Sequence, residues 1–245
     1  AILSLLGNKV PVSLKIFLTA LAIIDDLGAI IVIALFYSKG FSLLYFGFAL
    51  LVFAIMFILN RIKFYRIWVY LVLGGVMWFF MYRSGIHATI TGVLLAFVIP
   101  FGNGDEKSPS YNLQHFLHRP VAFFILPVFA LANTAILIPS SVITDLASSN
   151  SYGIILGLLV GKPLGILLFA LLGAGIGVCS IPADIKKQHL LWVGLLAGIG
   201  FTMSIFITLL AFSNPATIDT SKIAVIIGSV LSGVLGYIGL KVSLK

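Results

Sequence analysis

Residues 21–36 read LAIIDDLGAIIVIALF, with two adjacent acids, Asp25 and Asp26, inside an otherwise apolar run. The run covers 14–36, 23 residues, and a helix needs about 20 predominantly apolar residues to cross the hydrocarbon core of a bilayer. Similar runs recur along the 245 residues, of which 61% are hydrophobic and 9% charged, against roughly 25% charged in a soluble domain. The fold class is accordingly an all-α polytopic membrane protein, folded as one transmembrane helical bundle over 1–245. Cys179 is the single cysteine, which excludes an intramolecular disulfide. No metal cluster and no cofactor are expected.

Eight spans are expected, at about 14–36, 41–59, 68–82, 86–101, 120–138, 153–175, 190–212 and 223–240, the third and fourth being short for a full crossing. The first run is too long, and too acidic at its centre, for a cleavable signal peptide. The net charge of +8 would suit a nucleic-acid partner, but the basic residues fall mainly in short connections between runs, the pattern of membrane orientation. Alternating crossings put Lys9, Lys15, Arg61, Lys63, Arg66, Lys107, Arg119, Lys186, Lys187, Lys241 and Lys245 on one side, and Lys39, Arg83 and Lys222 on the other. The first side is therefore expected to be cytoplasmic, with both ends of the chain there. The longest connection, GNGDEKSPSYNLQHFLHRP, would be a cytoplasmic loop holding Asp105, Glu106, His115 and His118.

An ionised group at the centre of a bilayer costs about 2.5–3.5 kcal/mol on insertion scales, so such residues mark function by default. The ionisable residues expected within spans are Asp25, Asp26 and Lys162, with His87 near the start of the fourth; every other acid is assigned to a connection. Neighbours on a helix diverge by about 100°, so one carboxylate can face a water-filled cavity while the other turns toward a second helix. A carboxylate beside water holds either a proton or a hard cation, and the two compete. The segment GKPLGI, with Lys162, echoes IDDLGAI, with Asp25, and the first and sixth spans run in opposite directions, the relation of an inverted repeat. A two-fold axis in the membrane plane would bring Asp25 and Lys162 together.

In LLAGIGFTMSIF of the seventh span, Gly198 and Gly200 weaken the helix, and Thr202 and Ser204 supply hydroxyls. Two readings stand: a close-packing glycine surface, or a discontinuous helix whose loose carbonyls and half-helix dipoles face an ion path. For His87 the plain reading is an interfacial histidine at a span end.

Taken together, ALAIIDDLGAI, SGIHATITGV, ILPVFALANT, GKPLGI and GIGFTMSIF resemble corresponding segments of the NhaA sodium/proton antiporters, in the same order and over nearly the whole chain. The resemblance implies an inverted-repeat antiporter fold in the bacterial inner membrane, exchanging sodium or lithium ions for protons. It implies Asp26 as principal cation ligand (sodium or lithium) and Asp25 paired with Lys162 in proton coupling. A discontinuous helix around Gly198, Gly200 and Met203 and a link of His87 to pH response belong to the same pattern. A homodimer is a candidate assembly, and the lipid bilayer is the other partner. The chain departs from the pattern at Gln114, where an acid implicated in pH sensing is common. It matches only the later spans, so a second broken helix with further polar residues of the ion site is expected ahead of Ala1.

A passive cation channel also suits acids and a broken helix, but Lys162 at the site would repel a permeating cation. An intramembrane aspartyl protease needs two carboxyls close enough to share a proton. Neighbours on one helix diverge, and no other span offers a second acid.

Overall fold

The computed structural model describes residues 2–7, 10–38, 40–102, 105–106, 108–134, 136 and 146–244, and every regular element among them is helical. A short α1 (Ile2–Leu5) precedes α2 (Val12–Phe36), α3 (Leu43–Arg61), α4 (Ile67–Arg83), α5 (Thr89–Val98), α6 (Pro109–Pro120) and α7 (Leu126–Thr134). Then come α8 (Ser149–Leu156), α9 (Lys162–Gly175), α10 (Lys187–Ala197), α11 (Phe201–Ala211) and α12 (Pro215–Ser243). Five helical runs among the described residues are long and apolar enough to cross a membrane: α2, α3, α6 through α7, α8 through α9, and α12. The bent pair α10 and α11 makes a sixth, and α4 and α5 are shorter apolar helices. These are the eight apolar segments of the sequence, with the third and fourth short. The ten residues of α5 rise about 15 Å, half the thickness of a hydrocarbon core.

The chain divides into two compact units, Leu27–Ala132 on the one hand and Ala1–Asp26 with Asn133–Lys245 on the other. Within the first unit, α3 and α4 form an antiparallel hairpin on which α5 packs. Met56, Tyr70, Met77 and Val98 are buried at its core. Tyr70 is wholly buried, and its hydroxyl donates to the Phe64 carbonyl at 3.0 Å. Asn60 Nδ2 donates to the Val98 carbonyl at 2.9 Å, tying the hairpin tip to the end of α5.

The expected loop 102–120 is a loop only in its first part. From Pro109 the chain is helical and runs on through residue 134, so His115 and His118 lie on a helix. The cause is a start signal inside a polar stretch: the Ser108 hydroxyl accepts the Tyr111 N–H at 3.3 Å, and Pro109 occupies the first helical position. Lys107 lies outside the described residues, as do Lys9, Lys39, Lys245 and the expected end of the fifth span at residues 137–138.

In the second unit, α12 packs against α8, α10 and α11, and α10 also packs against α9. Half of the most apolar stretch of α12 is buried. This helix starts earlier than the expected 223, because the Asn214 side chain accepts the Ala216 N–H at 3.0 Å and Pro215 opens the first turn. Asp219 and Lys222, expected in a connection, are therefore helical, and Lys222 is buried. At the opposite end, His189 Nδ1 accepts the Lys186 N–H at 3.3 Å. Its Nε2 lies 3.4 Å from the Ser243 carbonyl, joining the start of α10 to the end of α12.

Candidate functional site

Asp25 and Asp26 stand at the middle of α2, a helix little covered by the other described residues. Lys162 Nζ lies 2.5 Å from Asp25 Oδ2, in an ion pair whose side chains are 23% and 46% exposed for Lys162 and Asp25 respectively. Asp26, rotated by about 100° on the same helix, has no hydrogen-bond or ion-pair partner among the described residues. The arrangement thus pairs one carboxylate directly and leaves its neighbour without a direct partner among the described residues. A hard cation takes six to eight oxygen ligands when it is as large as calcium, so one carboxylate is a partial site. No cluster of three or more His, Cys, Asp or Glu side chains exists among the described residues. Carbonyls, hydroxyls or water must complete any coordination shell.

The position of Asp26 on α2 matters for access. Lys15, Thr19, Ala22 and Asp26 succeed one another at helical spacing and share a face. Lys15, Leu18 and Thr19 line a cavity of about 510 Å³ together with Ile2, Leu3, Leu196 and Ile199. Asp26 lies seven residues, about 10 Å along the axis, beyond Thr19.

Lys162 is held by a local irregularity. Residues Gly157–Gly161 form a π turn, and the Lys162 N–H reaches back to the Gly157 carbonyl. Pro163 comes next and has no N–H. Neither donor that would serve the Leu158 carbonyl is therefore available to it. The Ser232 hydroxyl, on α12, lies 3.4 Å from that oxygen as its donor, in a fully buried position.

The seventh span breaks at Gly198–Gly200, where α10 and α11 meet at a bend of 52°. The break is narrower than 198–203, since Phe201–Met203 already belong to α11. Neither glycine has a positive φ: Gly198 is at −65° and Gly200 at −101°. What they supply is close approach. A Cβ on Gly198 would lie 2.5 Å from the Leu158 carbonyl oxygen and 2.7 Å from Ser232 Oγ; one on Gly200 would lie 2.5 Å from Ser204 Oγ. The glycines therefore form both a break in the helix and a close-packing surface. Ser204 fills the room beside Gly200, and Thr202 is exposed. No hydrogen bond joins either hydroxyl to Asp25, Asp26 or Lys162 among the described residues.

His87 falls in the other compact unit, just ahead of α5. There it lines a cavity of about 530 Å³ with Tyr45, Tyr82, Arg83 and neighbouring backbone. Arg83 stacks over the Tyr45 ring, 5.3 Å from its centroid. Sequence reasoning missed Ser232 and Gly194. A Cβ on Gly194 would lie 2.9 Å from Pro163 Cα. Lys162–Pro163, a proline inside an apolar helix, signals that a carbonyl upstream needs a partner from another element, without saying which residues supply it.

Comparison of the chain with known proteins points to one family. The model of "Na+/H+ antiporter 1" matches residues 1–240. The chain is 61% identical to "Na(+)/H(+) antiporter NhaA 1" of Flavobacterium johnsoniae over 98% of its length, and 60% identical to "Na(+)/H(+) antiporter NhaA" of Cytophaga hutchinsonii over all of it. It is 46% identical, again over its whole length, to the protein of that name from Salmonella arizonae. In each case it spans 63% of the relative's length. The family model covers nearly the whole chain and the relatives are this similar along all of it, so the chain belongs to the Na+/H+ antiporter 1 family.

Proposed function

We propose that the protein exchanges sodium or lithium ions for protons across a bacterial inner membrane, with Asp26 as the carboxylate for which cation and proton compete. The names of its relatives support sodium/proton exchange. The observation that carries the residue assignment is the division of labour between neighbours: Lys162 satisfies Asp25 at 2.5 Å, and Asp26 is left unpaired among the described residues. An occupied pair next to a vacant carboxylate holds one negative charge at the site. Either a monovalent cation or a proton cancels that charge, and each excludes the other. A release of protons to one side then favours cation capture there, and the reverse on the other side returns the cation. Proton gain by Asp25 would free Lys162 from its partner, coupling the pair to the same cycle.

The cavity on the Lys15–Thr19 face of α2 is the proposed approach from the cytoplasm. Gly198 and Gly200 with Thr202 and Ser204 form the proposed discontinuous-helix part of the site, and His87 is proposed for pH response. Both ends of the chain are assigned to the cytoplasm, the eight segments to one bundle, and a second copy to the assembly. A cysteine at Ser110 should react with a membrane-impermeant thiol reagent only from the inside, and one at Ser42 only from the outside. The reverse labelling in intact cells would overturn the orientation.

Asp26→Asn keeps the shape of the side chain but neither its charge nor its titration. In everted membrane vesicles this variant should insert normally and lose sodium-dependent proton movement by at least about tenfold, the effect of roughly 1.4 kcal/mol. Exchange at the wild-type rate would sink the assignment. A passive channel is the weaker reading, because the Lys162 ammonium, 2.5 Å from Asp25, would repel a cation permeating through the proposed site.

A further inference from the structure

We infer that Ser232, with Gly198, is a positioning residue for Lys162: the two meet the Leu158 carbonyl and thereby hold the π turn that aims Lys162 at Asp25. The inference rests on the assignment of Asp25, Asp26 and Lys162 to the exchange site.

The chain of causes starts from one proline. Pro163 lacks an N–H, and the Lys162 N–H is already given to the Gly157 carbonyl, so the Leu158 oxygen has no helical donor. A buried carbonyl without a partner is unfavourable, and the turn persists only where something else meets that oxygen. Ser232 Oγ is the donor that reaches it, at 3.4 Å and from a wholly buried position. Gly198 makes the approach possible, because any side chain there would press on the Leu158 oxygen at 2.5 Å and on Ser232 Oγ at 2.7 Å. The Leu158 side chain is gripped as well: a Cβ on Gly228 would lie 3.0 Å from Leu158 Cδ1, and one on Gly200 3.2 Å from Leu158 Cδ2.

One helical turn of chain separates this grip from Lys162. On the other side of Lys162, Gly194 admits the backbone of Pro163, its absent Cβ lying 2.9 Å from Pro163 Cα. Lys162 is thus clamped before and after by α10 and by the glycine at the break of the seventh span. A π turn winds roughly 4.4 residues per turn against 3.6 for an α turn, so converting its five residues to α geometry rotates the residues after it by about a quarter of a turn. A lysine rotated in that way no longer points at Asp25. A movement of the broken helix would act on Lys162 through the same contact.

The test uses Ser232→Ala, Ser232→Thr and Gly198→Ala in the whole protein. The Ser232 bond is long, so its removal should act at the low end for a neutral hydrogen bond, about a two- to fivefold rise in the apparent KM for sodium. The maximal rate should change less, because a displaced ammonium competes with sodium at Asp26. Ser232→Thr keeps a hydroxyl and should keep the KM; Gly198→Ala should show the larger loss if it folds. An unchanged KM in Ser232→Ala, or an equal rise in Ser232→Thr, would overturn the role in exchange.

The second measurement does not depend on transport. Thermal unfolding in detergent of Ser232→Ala, Lys162→Gln and the double variant should give non-additive losses, since Ser232 acts through the pair. Additive losses would overturn the positioning itself. If the wild-type protein moves no protons in response to sodium, the exchange reading fails while the unfolding cycle still decides whether Ser232 positions Lys162.

Discussion

In the span Pro109–Thr134 the π turn Val121–Ile125 leads into Leu126 and Pro127; in the span Ser149–Gly175 the turn Gly157–Gly161 leads into Lys162 and Pro163. The local chemistry is the same. Leu126 N–H reaches Val121 O as Lys162 N–H reaches Gly157 O, and each proline withholds the next donor. The surroundings differ. The second turn is gripped by Gly198, Gly200, Gly228 and Ser232. The first presents Phe123 and Phe124, 81% and 69% exposed, and among the described residues no hydroxyl donates to the Ala122 carbonyl that corresponds to Leu158. A proline therefore suffices to make the irregular turn, whereas its use as a fixed reference point for a charged side chain needs a second helix brought within backbone contact.

The comparison breaks most visibly at the residue after each turn. Lys162→Gln strands the Asp25 carboxylate and should cost roughly 1–3 kcal/mol, between the values for exposed and for buried pairs because the pair is half covered. Leu126→Gln, at a half-exposed position, should stay within about 1 kcal/mol. Thermal unfolding of the two variants measures the contrast, and equal losses would remove the distinction. Asp25→Asn combined with Lys162→Gln should recover much of the larger loss.

A smaller effect sharpens the same contrast at the prolines. Pro127→Ala restores an N–H to an unencumbered turn and should be neutral or stabilising by about 1 kcal/mol, a part of the difference between proline and alanine inside a helix. Pro163→Ala lets the gripped turn relax toward α geometry, so sodium-dependent exchange should fall about three- to tenfold even where stability changes by under about 1 kcal/mol. The measurement is exchange rate set against melting temperature for both variants. Parallel behaviour of the two would mean that the grip on Leu158 is without consequence.

What the amino-acid sequence reveals here depends on whether the cause is local. Runs such as LAIIDDLGAIIVIALF identify membrane helices because apolar length alone decides them, and GIG in the seventh span marks a place where a helix can part. The early starts of α6 and α12 were also written locally, as Ser108–Pro109 and Asn214–Pro215, but the polar residues after each cap made the stretches look like connections. Ser232 could not be found this way. It lies 74 residues from Leu158, and nothing around it separates it from Ser229, also buried, whose hydroxyl has no partner among the described residues. Which hydroxyl meets the orphaned carbonyl is decided by the crossing of two helices.

The glycines also set unequal room for the sequence to drift. At Gly28, Gly47, Gly75, Gly92 and Gly165 a methyl group would meet nothing within 4 Å among the described residues. At Gly194, Gly198 and Gly236 it would meet a neighbour at 2.9, 2.5 and 2.8 Å, at the first two of these backbone, and at Gly239 it would overlap the Trp192 ring. A side chain at the first set meets no steric bar among the described residues, while at the second every step away from glycine must be matched by a change in a different helix. Steric room alone would therefore let descendants of this protein diverge faster along faces that touch no other described residue than along the seam joining the broken helix to Lys162.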